Sequence, residues 1–186
     1  MTLVPTYLQI DFQNLYFEAK NHNAKIDFEK VLNFFNNRET EMLMDPTIYM
    51  TKARDFDNDN LEKKLKNIGY TLKVKEAQKV KKDGRIHYRK VSHDILITID
   101  CIDKLDMFKK WIFMSGDGDF LELFKYIKSK GKKIELWSFK SSYNISLEPY
   151  ADKIYFIDED FFYKRPKIKV FGPNWAPYNR NRNEKD

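Results

Sequence analysis

The chain has 186 residues, 42% hydrophobic and 33% charged, with a net charge of +6 and a pI near 9.1. Those figures describe one ordinary globular domain with an appendage, and they exclude a disordered or fibrous chain. The single cysteine, Cys101, excludes an intrachain disulfide framework and any multi-cysteine zinc site.

Residues 7–11 (YLQID) read as a short apolar strand that ends in an acid. A helix is expected over 14–20 and a better one over 26–38, where Asp27 is the N-cap and Val31, Leu32, Phe34 and Phe35 supply an apolar stripe. Residues 46–51 read as a second strand. A polar helix over 55–68 presents Leu61, Leu65 and Ile68 on one face and stops at Gly69. Residues 70–76 alternate like a strand, and Lys82-Asp83-Gly84-Arg85 is a turn followed by a short return over 86–88. Ser92 is placed to cap a helix running to about residue 107. Then come an apolar strand over 111–114, a helix over 118–130 stopped by Gly131, and a strand over 133–139. A short helix over 141–150 and a last strand over 153–157 complete the pattern.

Strands that alternate with helices, several of them apolar throughout, predict an α/β fold with a mostly parallel central sheet covered on both faces. Such folds gather ligands at the carboxyl ends of their strands. The pattern stops near residue 160, so two regions are expected: a domain over 1–160 and a basic, aromatic-containing tail over 161–186. No apolar run approaches the ~18 residues of a membrane span. The start, MTLVPTYLQID, has no charged region leading into an apolar core, so a cytoplasmic location is expected.

Charge is unevenly spread. Residues 73–90 carry a local +6 and residues 163–186 a local +5, which leaves the remainder at −5. Basic flanks around an acidic body suit a protein that attracts a polyanion and holds cations at its centre. Lys79, Lys81, Lys82, Arg85, Arg89 and Lys90 form a candidate phosphate-tracking arm, with a solvated charged hairpin as the plain alternative.

The acids fall where this architecture would collect them. Asp11 closes the first strand, with Asn14 three residues on. Asp94 opens the helix after the basic hairpin, and Asp100 lies further along it. Asp117 and Asp119 follow the strand WIFM within Ser115-Gly116-Asp117-Gly118-Asp119-Phe120. The two glycines are expected to permit a tight turn with accessible N–H groups. Clustered carboxylates repel one another without a cation, and their hard oxygens favour Mg²⁺ or Mn²⁺ over zinc. Metal-assisted cleavage of a phosphodiester is the chemistry such a cluster suits. Asp100 is six residues beyond Asp94, about 240° around a regular helix, so it is placed as a supporting residue.

IDFQNLY at 10–16, SHDILITID at 92–100 and FMSGDGDFLELFKYIKSKGKKIELWSF at 113–139 resemble the NYN, LabA-like branch of the PIN-like nucleases. LEPYADKIYFID at 147–158 is similar to that family's last helix and strand. The resemblance implies a Rossmann-like three-layer α/β/α sandwich and Mg²⁺- or Mn²⁺-dependent cleavage of RNA that leaves a 5′-phosphate. It implies that Asp11, Asp94, Asp117 and Asp119 hold the metal. It also implies that Asn14 orients a ligand or phosphate and that Ser115 is a hydrogen bonder behind the acids. The approach to Asp94, Lys90-Val91-Ser92-His93, departs from the family's by lacking a glycine.

Other chemistries find less support. Cys101 follows Asp100 on an apolar helix and reads as a buried structural thiol. His93 reads as solvated or capping, with phosphate contact as the alternative. There is no GxxxxGK[ST] phosphate loop, and Gln13 stands where an aspartyl-phosphate enzyme needs a second Asp. The expected partner is single-stranded or structured RNA, with no membrane and with a homodimer or protein partner reached through the tail. Two alternatives remain: a non-catalytic RNA-binding or adaptor protein on the same fold, and a DNA or flap nuclease.

Overall fold

The computed structural model describes residues 2–52, 58–89 and 91–163, with side chains for all of these but 58, 79, 80, 82 and 85–89. The chain runs β1 (Val4–Asp11), α1 (Phe12–Asn21), α2 (Phe28–Asn36), β2 (Glu41–Lys52), α3 (Asn58–Asn67), β3 (Thr71–Glu76), β4 (Gln78–Lys82) and β5 (Arg85–Arg89). It continues with α4 (Asp94–Asp103), β6 (Lys110–Met114), α5 (Leu121–Ser129), β7 (Lys133–Ser138) and β8 (Lys153–Phe156). Short 3₁₀ turns lie at Gly118–Phe120, Ile145–Tyr150 and Glu159–Phe161.

Six strands form one sheet in the order β3-β2-β1-β6-β7-β8, and every neighbouring pair is parallel. The antiparallel hairpin β4–β5 is a separate two-stranded sheet. Parallel pairing follows from the helical crossovers between the strands, which also cover both faces. β6 shows the consequence most directly. Ile112 and Met114 pack with Leu8, Ile10 and the helices α1 to α3, whereas Trp111 and Phe113 pack with Tyr7, α4 and α5. All four residues are fully buried, which is why WIFM is apolar at every position. Each such side chain contributes roughly 2–3 kcal/mol by leaving water. The chain is thus a three-layer α/β/α sandwich.

Helix ends obey local chemistry. Asp11 and Asp27 sit at the N-caps of α1 and α2 and accept the backbone N–H groups of Asn14 and Lys30. Gly69 and Gly131 lie just past α3 and α5 with φ of +111° and +69°, the left-handed backbone that stops a helix.

Several boundaries differ from the sequence expectation. β2 begins at Glu41 rather than 46, although it contains Pro46. Its pairing with β1 slips there: Met44 faces Tyr7 and Thr47 faces Gln9, so three steps on β2 match two on β1. A bulge is the one place inside a sheet where a residue without an N–H is tolerated. Asp45, at φ +39°, absorbs the kink. α4 ends at Asp103 rather than near 107. The helix expected over 118–130 opens as a 3₁₀ turn before α5, and the one over 141–150 is a 3₁₀ turn alone.

The chain builds outward from β1 to β3, returns to the middle, and then builds outward again from β6 to β8. The carboxyl ends of β1 and β6 therefore border a crevice where the connections part in opposite directions, the place where open α/β sheets bind ligands.

Candidate functional site

The register between β1 and β6 places Ile10 opposite Met114, so the next residues, Asp11 and Ser115, leave the sheet side by side. Asp11 is buried. Its Oδ1 accepts the N–H of Asn14 at 3.2 Å, and its Oδ2 accepts the hydroxyl of Ser115 at 3.2 Å. The Ser115 Oγ in turn accepts the N–H of Asp117 at 3.3 Å, and Asp117 Oδ1 accepts the N–H of Asp119 at 3.0 Å. Asn14 reaches across from α1, and its Oδ1 accepts the N–H of Gly116 at 2.9 Å. A chain of hydrogen bonds thus ties the end of β1 to the acidic turn after β6.

Asp94 arrives from the other layer. It is the first residue of α4, and its N–H donates to the Ser92 hydroxyl at 3.1 Å, a turn just ahead of the helix; His93 rather than Ser92 occupies the N-cap position, and its side chain makes no cap hydrogen bond. One carboxylate oxygen each from Asp94, Asp117 and Asp119 lies within 4.8 Å of the other two. Among the described residues this is the one acidic or histidine group of that closeness. Asp94 and Asp117 are half-buried and Asp119 is exposed, so the group opens to solvent. Three hard oxygen donors from two layers at the crevice suit a divalent cation of the Mg²⁺ or Mn²⁺ type. Asp11 stays outside that group, two hydrogen bonds behind it through Ser115.

Asp100 takes a separate place. It is buried beneath α4 and accepts the Tyr49 hydroxyl at 2.9 Å, with the Lys73 ammonium at 3.5 Å. Tyr49 also receives Gln9 Nε2 at 2.6 Å, and the Gln9 carbonyl accepts the Trp111 indole N–H at 2.8 Å. Burial, with help from neighbouring Tyr7, pushes the Tyr49 hydroxyl far up, so it remains a donor to Asp100. This network fastens α4 to β1, β2 and β6, and the helical rotation between Asp94 and Asp100 explains why the two face different surroundings.

Two further readings, one of the turn and one of His93, need correction. Gly116 does not leave its N–H open, since Asn14 holds it. Gly116 and Gly118 are required by close packing. A Cβ on Gly116 would lie 2.6 Å from the Ser142 carbonyl oxygen, and one on Gly118 would lie 2.1 Å from Asn144 Nδ2. Asn144, which sequence reasoning passed over, donates its N–H to the Gly116 carbonyl at 2.9 Å and caps the following 3₁₀ turn. An Asn just before ISLEP was the available signal for that cap. His93 also differs from the solvated reading. It is buried, and its Nε2 lies 3.3 Å from the Thr51 hydroxyl. Cys101 is fully buried, and burial drives its thiol up, away from reactivity.

Of the basic arm, Lys81 is exposed on β4. The side chains of Lys79, Lys82, Arg85 and Arg89, the whole of Lys90, and the tail from residue 164 lie outside the described residues.

The family model of the NYN domain matches residues 5–159. The chain is 25% identical over 131 residues to the low amplitude and bright protein LabA of Synechococcus elongatus, covering 69% of this chain and 70% of that protein. The crystal structure of a protein of unknown function from Vibrio parahaemolyticus superposes with a TM-score of 0.75 at 22% identity. That match covers 87% of this chain and 97% of the other, and it shows the shared fold.

Proposed function

We propose, from the premise that this chain belongs to the NYN domain family, that it hydrolyses RNA phosphodiester bonds at the Asp94–Asp117–Asp119 cluster. The observation that carries the reading is the meeting of these three carboxylates at the crevice between β1 and β6. When bound there, Mg²⁺ or Mn²⁺ lowers the pKa of water and neutralises charge on a phosphate. The rest falls to the protein's own residues. Asp94, Asp117 and Asp119 supply the ligand oxygens. Asp11 and Asn14 act as positioning residues by holding Ser115 and Gly116, and with them the acidic turn. The arm of Lys79, Lys81, Lys82, Arg85, Arg89 and Lys90 neutralises flanking phosphates, and a flexible strand bends most readily between it and the acidic crevice. The domain occupies residues 1–160, with the basic tail beyond it. Among the described residues no helix is long and apolar enough to cross a membrane.

Attack by water, with the P–O3′ bond breaking and the 3′-oxygen leaving as a hydroxyl, yields a 5′-phosphate and a 3′-hydroxyl, whereas attack by the RNA's own 2′-hydroxyl would yield a 2′,3′-cyclic phosphate. The test uses end-labelled RNA and DNA of one sequence with Mn²⁺, with Mg²⁺ and with EDTA. Cleavage of RNA that needs a metal, yields 5′-phosphate ends and disappears in Asp117→Asn supports the enzyme. Tight RNA binding without cleavage in any metal supports an adaptor instead, and preferred cleavage of the DNA strand supports a DNA nuclease.

A further inference from the structure

The sheet has two edges, and they are protected differently. β3, at one end, carries Lys73 and Lys75, the kind of charged side chain that discourages an edge from pairing with another strand. β8, at the other end, reads Lys153-Ile154-Tyr155-Phe156, with Tyr155 36% and Phe156 38% exposed. Among the described residues no strand pairs with its outer side. The described chain does not return along it either. After β8 it crosses toward the start of α2, where Phe162 bridges Ile26 and the Tyr163 N–H donates to the Lys25 carbonyl at 2.9 Å. The Ile157 N–H donates to the Ser138 carbonyl at the end of β7 at 2.9 Å, so the odd-numbered residues here turn their backbone groups toward β7. By alternation, Ile154 and Phe156 turn theirs outward. Beside this edge, on the α2 face, lies a groove of about 560 Å³ lined by Phe34, Trp137, Tyr155 and Phe161. Tyr155 walls it on the outer side and stacks on Trp137 at 4.6 Å.

We propose that a second copy of this chain covers the edge, the two β8 strands running antiparallel with Tyr155 on a two-fold axis normal to the sheet. The strand is complementary to itself in that arrangement. With Tyr155 on the axis, Ile154 of one copy lies opposite Phe156 of the other, and these are the residues whose N–H and C=O groups point outward, so each pair exchanges both bonds. The axis keeps corresponding faces on the same side. Tyr155 therefore meets Tyr155 on the α2 face, where each ring closes the open side of the other copy's groove, and Ile154 meets Phe156 on the opposite face. Aromatic and aromatic–β-branched pairs are the favourable contacts between strands. Charge selects the same direction. β8 begins at Lys153 and is followed by Asp158, Glu159 and Asp160, so antiparallel pairing lays the basic start of each strand beside the acidic end of the other, at both ends of the interface. A parallel pair would set lysine beside lysine and acid beside acid. The contact is isologous and closes on itself, which caps the exposed edge without starting a filament. The result is a continuous sheet with six strands from each copy and with the two crevices at opposite ends, whether or not they cleave RNA.

Cross-linking and sedimentation of the full chain test this. Opposed residues on the axis form a pair without hydrogen bonds, with Cα atoms about 4.5 Å apart, inside the range of about 4.4–6.8 Å that a disulfide spans. Tyr155→Cys should therefore give a disulfide-linked dimer under mild oxidation. Lys153→Cys, two residues off the axis and roughly 13 Å from its own counterpart, should not. The native Cys101 is buried and leaves the wild type unlinked. In sedimentation over a micromolar concentration series the wild type passes from monomer to dimer. Tyr155→Lys, which opposes two ammonium groups on the axis, raises the dissociation constant about tenfold. Lys153→Glu raises it about fivefold at low salt, and adding Glu159→Lys to that variant restores it. An unchanged circular dichroism spectrum and melting temperature in dilute solution certify that each variant is folded. A wild type that stays monomeric throughout the series overturns the proposal. So does a dimer indifferent to Tyr155→Lys, which assigns the contact to another surface, or cross-linking at position 153 as efficient as at 155, which breaks the register.

Discussion

Replacing Asp119 by Asn should stabilise the metal-free protein and abolish its stabilisation by metal. The Asp119 carboxylate has an oxygen within 4.8 Å of oxygens of both Asp94 and Asp117. Two unit charges at that separation repel by ~0.9 kcal/mol in a water-like dielectric, so the two pairs together cost ~2 kcal/mol. Screening at 0.15 M salt, where the Debye length is about 8 Å, reduces this to about 1 kcal/mol. In a chain of this size that corresponds to a rise in Tm of about 2–4 °C. Thermal unfolding in EDTA should show Asp119→Asn melting higher than wild type, by a margin that grows as salt is lowered. With Mn²⁺ the order reverses, because free metal at a hundred times Kd adds ~2.7 kcal/mol to the wild type only. The side chain does not cap the turn, since its backbone N–H is what Asp117 accepts, so the substitution leaves local folding intact. A lower Tm in EDTA, or a Mn²⁺ shift equal to that of wild type, would refute the reasoning that these acids form one cation site.

Four further outcomes follow from the packing. Gly118→Ala drives a methyl into Asn144 and should cost about 1–3 kcal/mol in urea unfolding. Adding Asn144→Ala should recover part of that loss, whereas the same partner cannot rescue Gly116→Ala, which meets the Ser142 backbone. Glu135→Ala should destabilise by about 1–3 kcal/mol, because buried Glu135 holds Arg38 at 2.7 Å and Lys110 at 2.6 Å, while Glu41 keeps both cations partly paired at 3.4 and 2.7 Å. Tyr49→Phe removes a buried donor from Asp100 and should cost about 1–3 kcal/mol while leaving Mn²⁺ affinity within a few-fold. For Asp152, burial pushes the carboxyl up, but the ammonium groups of Lys128 and Lys133 and the Ile134 N–H outweigh it and hold it at about 2, against an ordinary value of 3.8. Its contribution is therefore present in full above about pH 4 and is lost as pH falls toward 2. Asp152→Asn should be the less stable protein at pH 6, with the gap closing across that window in a series of urea titrations.

The layered architecture was legible in the chain because it rests on short-range chemistry. Trp111 to Met114 are apolar at every position only because both sheet faces are covered, and Asp27, Gly69 and Gly131 mark helix ends by their own side-chain and backbone preferences. Asp11, Asp94, Asp117 and Asp119 were legible as types at telling places, each at the end of a strand or the start of a helix. Which of them meet depends on the register between β1 and β6 and on the seating of α4, and those are set by contacts between residues roughly a hundred positions apart. Tertiary packing therefore sent Asp100 to Tyr49, put Asp11 behind Ser115, and made Gly116 and Gly118 necessary through the later loop at Ser142 and Asn144. It also extended β2 through Pro46, because a bulge opposite Tyr7 and Gln9 removes the need for the missing N–H. Local sequence chooses the elements, whereas the free energy of burying their faces together chooses the neighbours.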